Sequence, residues 1–284
     1  MVASQQVKVH FGTFRVQKAR FQQVGWPVMT LVPAIVSQSP RAFRVFLVLT
    51  AVFVGASGCA PPQNAPINDP DEAFNRQIHD FNKGVDSYVL RPVATALVPP
   101  GGGPISQGVV NFASNLSAPG DVLNNILQIR LGRAVENTLR FAINSTIGFA
   151  GLFDVAQKMG VSGRDTDFGE TLHVWGFAEG RYLDAPLVGP TTSRDLTGKI
   201  VDIAINPLQI WLPAPDRSIG TVAGAAAGVV NRGRYVSTVD SILYQSADSY
   251  AQSRILYLQN RRFKLGQSTG EDAMIDPYED LYAE

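Results

Sequence analysis

Cysteine is nearly absent: Cys59 stands alone among 284 residues, so no disulfide can form within the chain. Histidine is scarce, and only His79 and His173, far apart in sequence, follow Cys59. Common enzyme motifs are missing too, with no G-x-S-x-G elbow, no Walker A loop and no H-E-x-x-H pair. Residues 1–58 contain no Asp or Glu, while Lys8, Arg15, Lys18, Arg20, Arg41 and Arg44 stand unopposed there. The chain has 24 basic and 24 acidic residues, so 18 basic face 24 acidic from Cys59 onward. The formal charge of zero is therefore a +6 leader set against a −6 remainder. An acidic remainder gives no reason to expect a nucleic-acid partner. Beyond Cys59, no uncharged apolar run reaches the ~20 residues of a spanning helix.

The leader is organised like an export signal. Arg41 and Arg44 precede the apolar run Val45 to Val54, and the small residues Gly55, Ala56, Ser57 and Gly58 lead into Cys59. A charged entry, a short apolar core and a small-residue exit describe a signal peptide rather than a spanning helix. The segment Ala56-Ser57-Gly58-Cys59 resembles a lipobox, with Ala56 where leucine is usual. Cleavage before Cys59 leaves its thiol for lipidation, which also accounts for a lone cysteine in an exported chain. Stable anchoring needs more than one acyl chain. Ala60, standing where an aspartate marks retention at the inner membrane, favours the outer membrane. Signal peptides usually run ~15–30 residues, so Met29 is the expected start of translation rather than Met1.

Residues 59–68 read as a Pro- and Asn-rich tether, 69–265 as one helical domain and 266–284 as an acidic, disordered tail. Asp69-Pro70-Asp71-Glu72 suits a helix start, with Asp69 as cap and Pro70 in the first turn. Phe74, Ile78, Phe81, Val85, Tyr88 and Val89 then recur at helical spacing until Arg91-Pro92. The Pro- and Gly-rich residues 98–104 form a loop. A second helix is expected from Asp121 to about Asn144, with Leu123, Leu127, Leu131, Val135 and Leu139 four apart. Further helices are expected near 195–205 and across 218–263, and nothing alternates like a strand. The fold class is all-α. The wide apolar faces read either as buried core or as surfaces lying against lipid.

Few residues suggest chemistry. His79 lies among polar positions and reads as solvated; His173 has no neighbouring nucleophile that would make it a catalytic base. Asp165, Asp167 and Glu170 lack the spacing of a calcium loop and read as a solvated acidic turn. Gly220, Gly224 and Gly228 share one helix face and allow a close backbone approach, in lipid or in ordinary packing. The block Phe168 to Gly176, then Gly180 to Pro190, alternates aromatics and glycines with little charge. It suits a structured apolar loop system, at a lipid surface or lining a cleft.

A set of motifs in order gives a more specific reading. They are Asp69-Pro70-x-Glu72-x-Phe74-Asn75-Arg76, Phe81-Asn82, Asp86-x-Tyr88, Arg91-Pro92-Val93, Asn111-Phe112, Asn115-Leu116 and Leu127-Gln128. Arg140-Phe141 leading to Asn144-Ser145-Thr146-Ile147-Gly148, Gly151-Leu152-Phe153-Asp154, Phe168-Gly169-x-Thr171-Leu172 and Arg194-Asp195 complete them. In these the chain closely resembles the VacJ/MlaA family of outer-membrane lipoproteins, departing at His173 and Arg181, where the family tends to have Gly and Pro. The resemblance implies a ring-like arrangement of amphipathic helices lying in the inner leaflet of the outer membrane, with a channel through it. It implies removal of mislocalised phospholipid from the outer leaflet and delivery to a soluble periplasmic carrier, with a trimeric porin holding the ring. No catalysis, cofactor or metal is implied. Phe149, Leu152, Phe168, Leu172 and Trp175 are the expected lining or gating residues, each equally readable as plain core. A passive envelope scaffold and a lipid hydrolase are the alternatives that the residues alone leave open.

Overall fold

The computed structural model describes residues 67–267. The expectations for the leader, Met29, Cys59, most of the tether and most of the acidic tail lie outside the described residues. Helix α1 (Glu72–Val85) opens behind Asp71. Asp69 is not its cap. The Asp69 carboxylate instead accepts from Asn75 Nδ2 at 2.8 Å and from the Tyr250 hydroxyl, and pairs with Arg254 at 2.5 Å.

The helix also outlasts its expected end at Arg91-Pro92. A π-helical turn (Asp86–Leu90) widens the coil, and α2 (Arg91–Leu97) continues from it. Pro92 thereby falls in a first turn, where its missing N–H leaves no bond broken.

The loop before Pro104 is present as expected, but the helix foreseen from 121 to 144 is two helices. α3 (Pro104–Leu127) begins earlier and carries Pro119 within it, and α4 (Leu131–Thr146) follows a break. At the break Ile129 has φ +59°, and the Arg130 N–H bonds back to the Asn125 carbonyl at 2.8 Å. A left-handed residue ends a helix this way, usually as glycine. A β-branched residue there is strained and gives no warning in sequence.

Two short helices follow, α5 (Val155–Lys158) and α6 (Phe168–Val174), capped by Asp154 and Asp167. An antiparallel hairpin then joins β1 (Tyr182–Ala185) to β2 (Gly189–Thr192), pairing Tyr182 with Thr192 and Ala185 with Gly189. Strands of four residues are too short to leave a readable alternation. The remainder is helical: α7 (Ser193–Ile205), α8 (Pro207–Trp211), α9 (Ile219–Arg234), α10 (Val236–Asp240), a second π turn (Ser241–Gln245) and α11 (Ser249–Lys264).

Apolar cores are small. Phe168, Leu172 and Val201 form one between α6 and α7, and Tyr182, Tyr250 and Leu258 form another between β1 and α11. Ion pairs do much of the joining elsewhere. Arg261 binds Asp167 and Asp195, and Arg232 binds Asp86 and Asp240, tying α9 to the first π turn and to the end of α10. Burying such pairs costs desolvation, but removing one partner strands the other charge.

Candidate functional site

Along α1, α3 and α4 the buried side chains are polar except for Ala134. α3 buries five residues, Ser106, Asn115, Asp121, Asn124 and Asn125, all of them polar. Asn124 is 1 % exposed, while Leu131 is 61 % and Phe74 60 % exposed. On α1 the buried residues are Asn75 and His79, and Phe74 and Phe81 face outward. On α4 the stripe Leu131, Val135 and Leu139 faces outward while Ala134, Asn137 and Asn144 are buried. The apolar faces read from periodicity are real, but on these helices much of their surface is exposed: Leu127 of α3 packs against the Phe168 core, while Ile126, Leu131, Val135 and Leu139 face outward. Contiguous exposed apolar surface of this kind marks contact with a membrane or another protein.

His79 is likewise corrected from solvated to buried. Its Nδ1 lies 3.3 Å from Asp184 Oδ2 and its Nε2 3.0 Å from Ser249 Oγ. The order Ser–His–Asp is that of a hydrolytic triad. Lys83 Nζ also reaches Ser249 Oγ at 3.3 Å, so the chain of bonds ties α1, β1 and α11 together.

The acidic turn is solvated only in part, with Asp165 exposed and Glu170 buried. Glu170 is buried against Arg130, and Asp167 holds Arg261 while capping α6. Burial lowers the His173 pKa, and Arg194 adds to this. Gly220, Gly224 and Gly228 meet open space; the close backbone approach of α9 falls instead at Gly233, against Ala94 O and Val98.

The loop joining α4 to α5 carries two of the expected lining residues. Phe149, Ala150 and Gly151 have φ of +53°, +57° and +92° in succession. Left-handed geometry at a phenylalanine stores strain, and here it turns Phe149 outward to 72 % exposure. Its ring meets Phe153 edge-on at 6.2 Å, and Leu152 beside them is exposed. Trp175 is half-exposed, donating from Nε1 to Leu127 O at 3.2 Å and meeting Phe168 edge-on at 5.6 Å. Phe168 and Leu172 are buried with Val201. The structure thus brings Phe149 and Leu152 together on one loop and Phe168, Leu172 and Trp175 together on α6 and its end.

Beneath the 149–154 loop lies a polar cleft that sequence reading missed. Asn111, Asn115, Asp121, Asn137, Arg140, Asn144, Asp154 and Asp165 line it, and its volume of about 40 Å³ admits a few water-sized groups. Burial pushes the Asp154 carboxyl up, but bonds from Asn144, Gln157 N and Arg140 outweigh this and hold it below the carboxylate range. Asp121 is different. Burial pushes it up to about 8, against which the Thr166 N–H works, and negative Asp165, Asp202 and Asp167 reinforce the rise. The one available hint was the density of Asn and Asp inside stretches of helical periodicity.

The family model described as MlaA lipoprotein matches residues 67–264. The chain belongs to the MlaA lipoprotein family. Among named MlaA relatives, the intermembrane phospholipid transport system lipoprotein MlaA of Shigella flexneri is 34% identical over 221 residues, 75% of this chain and 84% of the relative. The protein of the same name from Escherichia coli K12 is 33% identical over 221 residues, with the same shares of both chains. A solved chain from work on the structural basis for maintenance of bacterial outer membrane lipid asymmetry superposes with a TM-score of 0.59. It is 32% identical and covers 69% of this chain and 98% of its own. The MlaA family fold is helical, as the periodicity indicates. Among the described residues no helix is long and apolar enough to cross a membrane.

Proposed function

We propose that this chain is an outer-membrane lipoprotein, anchored through Cys59, that takes mislocalised phospholipid from the outer leaflet and passes it to a soluble periplasmic carrier. One observation carries the reading: helices α1, α3 and α4 bury mainly polar residues and leave Phe74, Phe81, Ile105, Ile126, Leu131, Val135 and Leu139 exposed. In water such a surface is an aggregation liability; against acyl chains it is the stable arrangement. The names of the relatives, intermembrane phospholipid transport lipoproteins, support the same conclusion. In this reading the helices lie as a ring within the inner leaflet, held by a trimeric porin. Phe149, Leu152 and Trp175, all exposed, are its lipid-facing residues; Phe168 meets Trp175 edge-on from the core, where Leu172 packs with Phe168. No covalent step is involved, because the work is transfer between two lipid environments.

The deciding measurement is outer-leaflet phospholipid in a strain lacking this gene. A rise, together with detergent sensitivity, is expected, with reversal on re-expression. An unchanged outer leaflet refutes transport and leaves a passive scaffold. One observation favours a hydrolase, the Ser249–His79–Asp184 alignment, and it predicts lysophospholipid or free fatty acid from the pure protein. In the transport reading neither product forms.

A further inference from the structure

We propose that the polar cleft between α3 and α4 takes the primary ammonium group of an aminophospholipid headgroup, with Asp121, Asp165 and Asn115 Oδ1 as its acceptors. This rests on the phospholipid-transport reading and adds the headgroup class.

The charge inventory of the cleft comes first. It has three carboxylates, Asp121, Asp154 and Asp165, and one cation, Arg140. Arg140 is committed to Asp154 at 2.8 Å, and its second nitrogen donates to the Val161 carbonyl at 2.7 Å. Asp121 and Asp165 form no ion pair among the described residues. Asp121 is 9 % exposed and uses Oδ1 to accept from the Thr166 N–H at 3.1 Å. A carboxyl at that depth, with Asp165, Asp202 and Asp167 acting on it, holds its proton near neutral pH unless a cation takes the proton's place.

Asn115 supplies independent support. It lines the cleft at 6 % exposure and spends Nδ2 on Ser145 Oγ at 2.9 Å, yet Oδ1 is buried with no partner. An orphaned buried acceptor is expensive unless a donor reaches it. The unmet requirements of the cleft are thus a positive charge and N–H donors. An –NH₃⁺ group has both, with three donors and no acceptor. Among the described residues no three acidic, His or Cys side chains are grouped to hold a metal ion, which favours ammonium over a divalent cation.

Size and surroundings fix where the rest of the ligand lies. About 40 Å³ admits a headgroup tip but no acyl chain. The segment that roofs the cleft through Asp154 also carries exposed Phe149, Leu152 and Phe153, and the Leu152 carbonyl is held by Asn111 of the cleft at 3.1 Å. A lipid with its amine in the cleft would have apolar surface beside it for its tails.

The test uses the full-length acylated protein, recovered from vesicles of equimolar phosphatidylethanolamine, phosphatidylglycerol and phosphatidylcholine, with bound lipid measured by mass spectrometry. Hydrogen bonds to charged groups are worth ~1.5–3 kcal/mol, so phosphatidylethanolamine should be enriched roughly tenfold or more over the other two. Asp121→Asn and Asp165→Asn should bring the bound composition back towards that of the vesicles. Asp165 is exposed, so its variant keeps the test valid if the buried one misfolds. Wild type that binds lipid in the vesicle ratio, or enrichment that survives both substitutions, overturns the ammonium site and leaves the transport reading standing. Wild type that binds no phospholipid at all overturns the transport reading itself. Calcium or magnesium alone, or free ethanolamine, raising the melting temperature of wild type but not of Asp121→Asn while bound lipid follows the vesicle ratio, would assign the cleft to a metal ion or a soluble amine and refute the lipid headgroup.

Discussion

Replacing Asp121 by Asn should stabilise the protein at neutral pH and flatten its stability profile. The Asp121 carboxyl sits near 8 in the fold against 3.8 ordinarily, through burial and three neighbouring carboxylates. A carboxyl raised in the folded state binds a proton that the unfolded chain has already released. Its contribution is therefore complete at low pH, falls as pH rises from about 4 to about 8, and is level above that. At pH 7 the gap is about three pH units, each worth ~1.4 kcal/mol, so the upper bound is ~4 kcal/mol. Relaxation and water entry reduce this to about 2–4 kcal/mol, or on the order of 10 °C in melting temperature for a domain of this size. Asparagine keeps the Oδ1 that accepts from Thr166 N–H and carries no charge to desolvate. The assay is thermal unfolding of wild type and variant in the same detergent from pH 4 to 9. The difference between them should grow with pH and level off near 8. A constant difference, or a variant less stable at pH 8 than wild type, would refute the reasoning.

Gly151→Ala should destabilise by about 2–4 kcal/mol, because its φ is +92° and an added Cβ would lie 2.4 Å from Asn115 Cβ; denaturant titration reads the loss. Arg261→Ala leaves Asp167 and Asp195 facing each other without their shared guanidinium, and about 3–5 kcal/mol should be lost in the same measurement. Leu131→Asp and Val135→Asp alter exposed positions on α4. They should cost about 0.5 kcal/mol or less if water surrounds them, but ~2–3 kcal/mol if lipid does. Membrane retention after a carbonate wash separates the two, with unchanged retention counting against a lipid-facing α4. Ser249→Ala should leave fatty-acid release from labelled phospholipid at the buffer background, as in wild type; release that disappears with the substitution would establish the hydrolase.

Much of the helical architecture was legible because 3.6-residue periodicity survives whichever way a helix faces. Phe74, Phe81 and Tyr88 mark α1 and its π turn whether they point to core or to lipid, and Leu131, Val135 and Leu139 mark α4 equally well. Boundaries failed where the backbone did something unusual. Pro92 reads as a stop because a π turn that accommodates it has no composition, and the Ile129 break lacks the glycine that ordinarily announces a left-handed residue. His79 reads as solvated because its partners, Asp184 and Ser249, are more than a hundred residues away. The cleft was illegible for a related reason: Asn115 and Asp121 come from α3, Arg140 from α4 and Asp154 from the cap of α5, and only their packing shows which charges cancel.

The sequence alone determined the mostly helical fold and the family, because these rest on local order: a spacing and a string of motifs. Tertiary structure decided which face of each helix is inside. Periodicity defines a stripe without saying which way it points, and the direction is set by long-range pairs such as Arg232 with Asp86 and Arg254 with Asp69. Those pairs pull the polar faces together and leave the apolar ones outward, which is the physical basis for reading this chain as a protein that works against lipid.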